Sequence, residues 1–98
     1  MGQTIEVEAK AVGDVAVFDT DRSITGQDGD SFDSLKSSMD AAGPAADLAT
    51  RLFELDEAVS HVFVASNTAT VRRDGGWDEV SLAAGSAVIR ELFVFYAD

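Results

Sequence analysis

The chain has 98 residues, 46% of them hydrophobic, which is enough to bury one core near the lower end of the usual domain size. It has no cysteine, which excludes disulfides, thiolate nucleophiles and cysteine-ligated zinc or iron–sulfur sites within it. Its 18 acidic and 7 basic residues give a formal net charge of −11, a field that repels phosphate backbones and argues against nucleic acid as a partner. We therefore expect a single domain over residues 1–98.

The location of the protein is predicted from its apolar and charged segments. The longest apolar runs, such as Val62–Ala65, are far shorter than the roughly 20 residues of a membrane-spanning helix, so we expect no membrane partner. Residues 1–4 have neither a basic nor an apolar segment typical of a secretory signal, which favours the cytoplasm. An acidic surface with Lys10 and Lys36 as its lysines is typical of halophiles, although an acidic mesophilic adapter has a similar composition.

The first predicted element is a β-hairpin. Residues Thr4–Val12 alternate between apolar and polar side chains, the pattern of a half-buried strand. Gly13–Asp14 suits a two-residue type II′ turn, and Val15–Phe18 resumes an extended run. Residues 23–33 mix Gly, Asp and Ser without periodicity and predict a loop.

Two helices are predicted next. A short one covers Ser34–Ala42 and is capped by Asp33 or Ser34. Pro44 suits the first turn of a second helix, where its missing N–H costs nothing, and this helix runs to about Leu55. Its apolar stripe, flanked by Phe53, has three-to-four spacing and consists of Ala45, Leu48, Ala49, Leu52 and Leu55.

A second hairpin and a last helix complete the prediction. The hairpin joins His61–Ala65 to Thr68–Arg73 through the candidate turn Ser66–Asn67. The helix begins at Trp77, and Gly85 in its middle, which costs about 1 kcal/mol relative to Ala, marks close packing. Its predicted core stripe is Trp77, Val80, Ala84, Val88, Leu92 and Phe95. The order ββαββα predicts an α+β fold of two layers, a four-stranded and largely antiparallel sheet with two main helices on one face.

This order of apolar segments resembles the N-terminal domain of Nfu/NifU-like iron–sulfur scaffold proteins, which also occurs as a free-standing small protein. The resemblance spans roughly Thr4 to Phe95. The segments that carry it are Val17-Phe18, Gly43-Pro44, Leu48-Ala49-x-x-Leu52-Phe53, Val59-Ser60-His61-Val62-Phe63-Val64, Thr70-Val71 and Trp77. It implies a ββαββα domain connected with cluster assembly. Complete scaffolds hold the cluster on a Cys-x-x-Cys pair in a separate domain, so the resemblance implies an accessory without cluster ligands or catalytic residues of its own.

Candidate metal and catalytic residues are few. Carboxylates dense enough to suggest calcium are Asp19, Asp21, Asp28, Asp30 and Asp33. An EF-hand loop that starts at Asp19 would place Ile24 at the turn glycine, so we expect no specific metal site. His61, the single imidazole, has no partnered nucleophile in its sequence neighbourhood. We therefore expect no cofactor and no enzymatic activity, since a carboxylate enzyme would also need a cleft that so small a domain rarely provides.

The register of the two hairpins predicts which side chains share a face of the sheet. Beneath the helices it places Ile5, Val7, Ala9, Phe18, Val62, Val64, Ala69 and Val71. On the opposite face it places Glu6, Glu8, Val12, Val15, Val17, His61, Phe63, Thr70 and Arg72.

An apolar cluster ringed by charge is typical of a protein-binding surface. We expect partner contacts from Phe63, Val15, Val17, His61 and Arg72, with an iron–sulfur scaffold or target protein as the partner. Two alternatives stay open: a self-associating structural domain that forms a homodimer through this face, and hydrophobic residues merely scattered over the surface. The adjacent Arg72 and Arg73 either receive an acidic partner or an anion, or blunt the edge of the sheet.

Overall fold

The computed structural model describes residues 6–20, 29–41 and 43–96, with side chains described as far as Glu91. Within these residues the chain forms, in order, β1 (Val7–Val12), β2 (Val15–Thr20), β3 (Asp30–Phe32), α1 (Leu35–Met39), α2 (Pro44–Leu55), β4 (Val59–Ala65), β5 (Thr68–Arg73) and α3 (Glu79–Tyr96). The fold class is α+β, as predicted.

The strands of the described residues form one five-stranded sheet in the order β1-β2-β5-β4-β3. Every neighbouring pair is antiparallel. The two hairpins join side by side where β5 pairs with β2. At the end of this seam the Thr20 N–H donates to the Asn67 carbonyl at 2.9 Å, and the Asn67 side-chain amide donates to the Thr20 carbonyl at 2.8 Å.

The predicted count of four strands was wrong because β3 lies within the predicted loop over residues 23–33. Its three residues pair with β4 through Asp30↔Val64, Ser31↔Phe63 and Phe32↔Val62. Phe32 is its buried side chain. A strand this short has no room for an alternating pattern, so the pairing with β4 defines it.

Both hairpin turns have the predicted length. Val12 pairs with Val15 across Gly13–Asp14, and Ala65 pairs with Thr68 across Ser66–Asn67. Gly13 has a φ of 61° at the first central position, the conformation that a type II′ turn requires and that glycine adopts without strain. These turns fix the register of all four hairpin strands.

The ends of α1 and α2 follow from local chemistry. Ser34 caps α1: its hydroxyl accepts from the Ser37 N–H, and the Ser37 hydroxyl accepts from the Ser34 N–H. The helix ends at Met39, three residues earlier than predicted. Pro44 opens α2 as expected.

The buried side of α2 differs at two positions from the predicted stripe, because Ala46 is buried and Leu55 is exposed. Its buried residues are Ala45, Ala46, Leu48, Ala49, Leu52 and Phe53. Leu55, predicted to be in the core, is 48% exposed. It is the last residue of the helix and lines an open groove beside α3 that no other described side chain fills.

The last helix begins later and is rotated relative to the prediction. Asp78 caps it, since its carboxylate accepts from the Ser81 N–H at 2.7 Å, so Trp77 precedes the helix. The residues turned toward the core are Leu82, Gly85, Ser86 and Ile89. Of the predicted stripe, Trp77 and Val88 are half-buried and pack against the core, and Ala84 is half-buried. Val80 is 78% exposed, and the side chains of Leu92 and Phe95 lie outside the described ones.

Gly85 explains the rotation of α3. A Cβ added to it would lie 2.9 Å from Cζ of Phe18, so the helix approaches the sheet through its smallest residue. The sequence identified this glycine as a close contact but not the face it would turn inward. The ring of Trp77 packs edge-on against the ring of Phe18, with the two ring centroids 5.5 Å apart. The Trp77 indole N–H donates to the Asp14 carbonyl.

The core lies between the sheet and α2 and α3, on the predicted face of the strands. α2 contacts β3 and β4, and α3 contacts β1. Side chains with no exposure include Phe18, Val62, Val64, Ala69 and Val71, which confirms the predicted register. Val7 and Ala9 pack at its margin, and Ile5 lies outside the described residues.

Candidate functional site

The side of the sheet away from the helices, here called the open face, carries all five predicted contact residues. They lie in neighbouring rows that cross the strands. The first row contains, in order, Val12, Val15, Arg72 and His61. The second contains Lys10, Val17, Thr70, Phe63 and Ser31. The third contains Glu8, Asp19, Thr68 and Ala65.

Four residues of the first two rows form an apolar strip: Val12, Val15, Val17 and Phe63. Val12 is 84% exposed, Val15 37% and Phe63 38%, while Val17 is half-buried between its neighbours. Val12 and Val15 are directly opposite each other, a position that brings Cβ atoms to about 5 Å, and Val17 follows Val15 on the same face of β2. Phe63 lies on the same face across Thr70 from Val17. The structure therefore brings the predicted apolar residues together on β1, β2 and β4, with Thr70 of β5 between them.

A β-bulge shapes one end of this face. The pairing of β4 with β5 shifts between Val59↔Arg73 and His61↔Arg72, which leaves Ser60 as the extra residue. The Ser60 hydroxyl donates to the Arg72 carbonyl at 3.4 Å. Sequence reasoning missed Ser60 because a bulge depends on the partner strand and has no pattern of its own. It lines a shallow depression together with Val15, His61, Thr70, Arg72 and Asp74.

Charge is separated along the strands of the open face. Arg72 and the half-buried His61 lie in the first row, whereas Glu8 and Asp19 are paired in the third. The Asp19 carboxylate also accepts from the Thr68 hydroxyl at 2.7 Å. The face thus has Arg72 toward one end, with Asp74 lining the depression beside it, and the carboxylates of Glu8 and Asp19 toward the other end.

The two adjacent arginines point to opposite layers. β5 is the middle strand of the described sheet, so the expectation that the pair blunts an edge was wrong. Arg73 lies on the helical side, where its Nε donates to Oδ2 of Asp56 at 2.6 Å and its Nη1 donates to the Gly76 carbonyl at 2.7 Å. Arg72 alone is presented on the open face.

The ion pair between Asp56 and Arg73 changes both acidities. Hydrogen bonds from Arg73 and then from the Ala58 N–H hold the pKa of Asp56 below its usual range. The same carboxylate raises the pKa of Arg73. The pKa of Asp78 is lowered as well, because the Ser81 N–H and hydroxyl donate to its carboxylate. These three groups belong to the helical side of the molecule.

The acidic residues considered for calcium are dispersed. Asp19, Asp30 and Asp33 are exposed, and Asp21 and Asp28 lie outside the described residues. In the part of the chain that the structure describes, no group of three or more His, Cys, Asp or Glu residues is placed to hold a metal ion. No helix of that same part is long and apolar enough to cross a membrane.

Comparison with known proteins defines the fold. No family model and no curated protein matches the sequence. The structure is similar to the crystal structure of protein SAV1430 from Staphylococcus aureus, with a TM-score of 0.58 over 93% of this chain and 99% of that one. The sequence identity is 10%, so the likeness concerns the arrangement of the α+β domain alone.

Proposed function

We propose that this protein is a non-catalytic interaction module that binds a protein partner through the open face. The observation that carries the proposal is the strip formed by Val12, Val15, Val17 and Phe63 on the side of the sheet opposite α2 and α3. An apolar centre with a charged border is the usual composition of such a surface. Phe63 is the candidate anchor, because aromatic side chains dominate the energetics of interfaces.

The partner proposed from the Nfu/NifU resemblance is a cysteine-bearing iron–sulfur scaffold or its target protein. The chain has no cysteine, so the ligands of any cluster would come from that partner. Arg72 and Glu8, at opposite ends of the open face, would orient the partner, since complementary charges set register and speed association. This chain would then act as an accessory that holds the partner.

The same charge separation supports a second candidate function, self-association. A two-fold axis that lies in the open face and crosses the strands would place the row of Arg72 in one copy on the row of Glu8 and Asp19 in another. Such an isologous contact would also lay the second row of one copy on the second row of the other, so that Val17 and Phe63 would each face their own counterparts. This arrangement would make the chain a small homodimeric structural domain.

The decisive experiment is titration of the purified chain with a purified Nfu-type scaffold that carries its Cys-x-x-Cys pair, followed by calorimetry. We expect Phe63→Ser to weaken binding about thirtyfold, the equivalent of about 2 kcal/mol for an aromatic anchor. The matched control is Met39→Ser on α1, which also removes an exposed large side chain, at 65% exposure, and should leave the affinity unchanged.

Sedimentation of the same variants separates the two candidates. A wild-type dimer that Phe63→Ser converts to a monomer supports self-association and removes the open face from partner binding. Equal affinities for Phe63→Ser and Met39→Ser would contradict the open-face proposal. Anaerobic reconstitution of the chain alone with iron and sulfide should leave it colourless, and a stoichiometric visible absorbance band would contradict the accessory role.

A further inference from the structure

A groove opens on the helical side of the molecule, in the layer opposite the open face. It lies between the end of α2 and the first turns of α3 and encloses about 210 Å³. Leu52 and Val59 are buried in its wall, and Leu55 and Val80 stand at its rim, 48% and 78% exposed. Leu55 and Val80 are apolar residues that the sequence had predicted to be buried in the core.

The groove follows from how the two helices rest on the sheet. α3 lies toward β1, drawn down by the contact of Gly85 with Phe18, whereas α2 lies toward β3 and β4. The groove lies between the two helices beside the end of β5, where Arg73 and Trp77 line it. The space is a product of backbone placement and needs no rearrangement to form.

The size of the groove selects what it can hold. Pockets for whole small-molecule ligands enclose roughly 300–1,000 Å³, so this one is too small for a typical cofactor. An apolar cavity of about 150 Å³ suffices to bind benzene. A volume of about 210 Å³ therefore fits one aromatic or branched aliphatic side chain.

The charges at the groove indicate which residues of a partner could lie on either side of the bound side chain. Among the described residues that line it, the cation is Arg73, and its guanidinium already donates to Asp56 and to the Gly76 carbonyl. Asp78 lies at the mouth, with exposed Glu79 next to it in the chain. Asp78 is the N-cap of α3, with its carboxylate held by the Ser81 N–H and hydroxyl, and Glu79 lies in the first turn. Because Arg73 and Asp56 neutralise each other, Asp78 leaves the lining of the groove with a formal negative charge.

We propose that this groove receives one apolar side chain, aromatic or branched, from a basic segment of a partner polypeptide. The apolar group fills the space between Leu55 and Val80, and lysine or arginine residues flanking it meet Asp78 and Glu79. This site is separate from the open face and from the function proposed for it. With both surfaces occupied, the domain joins two polypeptides, one on each layer.

The test uses the blocked tripeptide Lys-Phe-Lys as the probe, with Lys-Ala-Lys and Asp-Phe-Asp as controls, at physiological ionic strength. Binding is followed by amide chemical shifts of the isotope-labelled protein. We expect Lys-Phe-Lys to bind at least about tenfold more tightly than either control, since burial of the ring and the flanking charges both contribute. The largest shifts should fall between Val80 and Gly85. Shifts centred elsewhere, or equal binding of Lys-Phe-Lys and Lys-Ala-Lys, would overturn the proposal.

Two pairs of variants locate the probe. Ala84→Phe fills the groove and should abolish binding, whereas Ala83→Phe, which adds the same ring to the exposed side of the same helix, should not. Val80→Lys removes an apolar residue of the rim and adds a positive charge next to Asp78 and Glu79, so it should weaken binding at least about tenfold. Ala87→Lys adds the same charge at an exposed position outside the groove and controls for the change in net charge.

These variants also cover the case in which Ala84→Phe fails to fold, because Val80 is largely exposed and its replacement leaves the core intact. Binding that survives in Val80→Lys as well as in Ala87→Lys would overturn the proposal. Phe63→Ser should leave binding of Lys-Phe-Lys unchanged, which keeps a failure of this site distinguishable from a failure of the open face.

Discussion

Gly85 is the residue whose missing side chain sets the distance between α3 and the sheet. Glycine costs a helix about 1 kcal/mol relative to alanine, so Gly85→Ala would stabilise an unobstructed helix by about that amount. Here the added methyl would meet Phe18, which is fully buried and covered by Trp77, and cannot move aside cheaply. We expect Gly85→Ala to lower the free energy of unfolding by about 1–3 kcal/mol, measured by urea denaturation.

The double variant with Phe18→Leu is the control for this contact. Leucine is shorter than phenylalanine at the position where the clash occurs, so part of the cost of Gly85→Ala should disappear in the Phe18→Leu background. A higher free energy of unfolding for the single variant Gly85→Ala would show that α3 does not contact Phe18 at Gly85.

Neighbouring residues of β4 test the two faces of the sheet. Val64 has no exposure, whereas Phe63 is 38% exposed on the open face. Val64→Ser removes buried methyl groups and buries a hydroxyl, so we expect it to destabilise by about 2–4 kcal/mol. Phe63→Ser introduces the same side chain at a partly exposed position and should cost about 1 kcal/mol. Urea denaturation of both variants measures the difference, and equal losses would mean that the register of β4 is wrong.

Single residues were predictable from sequence where local pattern decides their environment. Phe63 and Val64 fall on opposite faces because strand side chains alternate, and the two-residue turns fix their phase. Arg73 was not predictable in this way. Its partner Asp56 is distant in the chain, and the alternation that sends Arg73 to the helical side says nothing about which acid it meets.

The elements show the same division between local and distant causes. Both hairpins were predicted because Gly13–Asp14 and Ser66–Asn67 carry the turn chemistry themselves. β3 was not, since Asp30–Phe32 becomes a strand only by pairing with β4. The orientation of α3 was wrong because the helix is apolar on more than one side, and the contact at Gly85 chooses among them.

The groove was missed for a related reason. Leu55 and Val80 satisfy the spacing of a core stripe, so the sequence assigned both to the interior. They are exposed because they line the groove between the end of α2 and the start of α3, and the relative position of two helices depends on contacts between residues distant in the chain. The sequence offered one signal of the groove: Leu55 fits the periodicity of the stripe but is the last residue of its helix.

Asp56 connects the end of α2 to the end of β5 and gives this junction a pH dependence. Its folded-state pKa lies below the ordinary value of about 3.9, so its contribution to stability is complete above that value and is lost as the pH falls through the folded pKa. We expect Asp56→Asn to lower the free energy of unfolding at neutral pH. The gap between wild type and variant should narrow below about pH 4 as Asp56 protonates in the wild type.

Urea denaturation over a pH series measures this gap. Asp40→Asn, at an exposed position that ends α1, controls for the loss of one negative charge. A gap between wild type and Asp56→Asn that widens on acidification would contradict the assignment of the ion pair to Arg73.

For the molecule as a whole, the excess of carboxylates is the dominant electrostatic property. The formal net charge of −11 is spread over 98 residues, and repulsion among the acidic groups opposes the compact state. Salt shortens the range of this repulsion, so we expect the midpoint of thermal unfolding to rise as KCl increases from dilute to molar concentration. A midpoint that stays flat or falls would contradict the halophilic interpretation.

The double variant Glu57→Gln with Glu91→Gln is the control for this salt effect. Both residues are exposed, so their substitution makes the net charge of the chain less negative without disturbing the core. Its unfolding midpoint should start higher in dilute buffer and rise less steeply with KCl than that of the wild type. An unchanged slope would assign the effect of salt to ion exclusion or hydrophobic burial.

The seam between β2 and β5 governs the order in which this chain can assemble. Each hairpin closes through a two-residue turn, a fast and local event, whereas the bonds between Thr20 and Asn67 join residues 47 positions apart. Closing so long a loop costs entropy before its contacts form, so we expect the seam to be the slow step of folding. Until it closes, Phe18 and Val71 lie on separate hairpins, and the chain has two half-sheets with exposed edges but no common core.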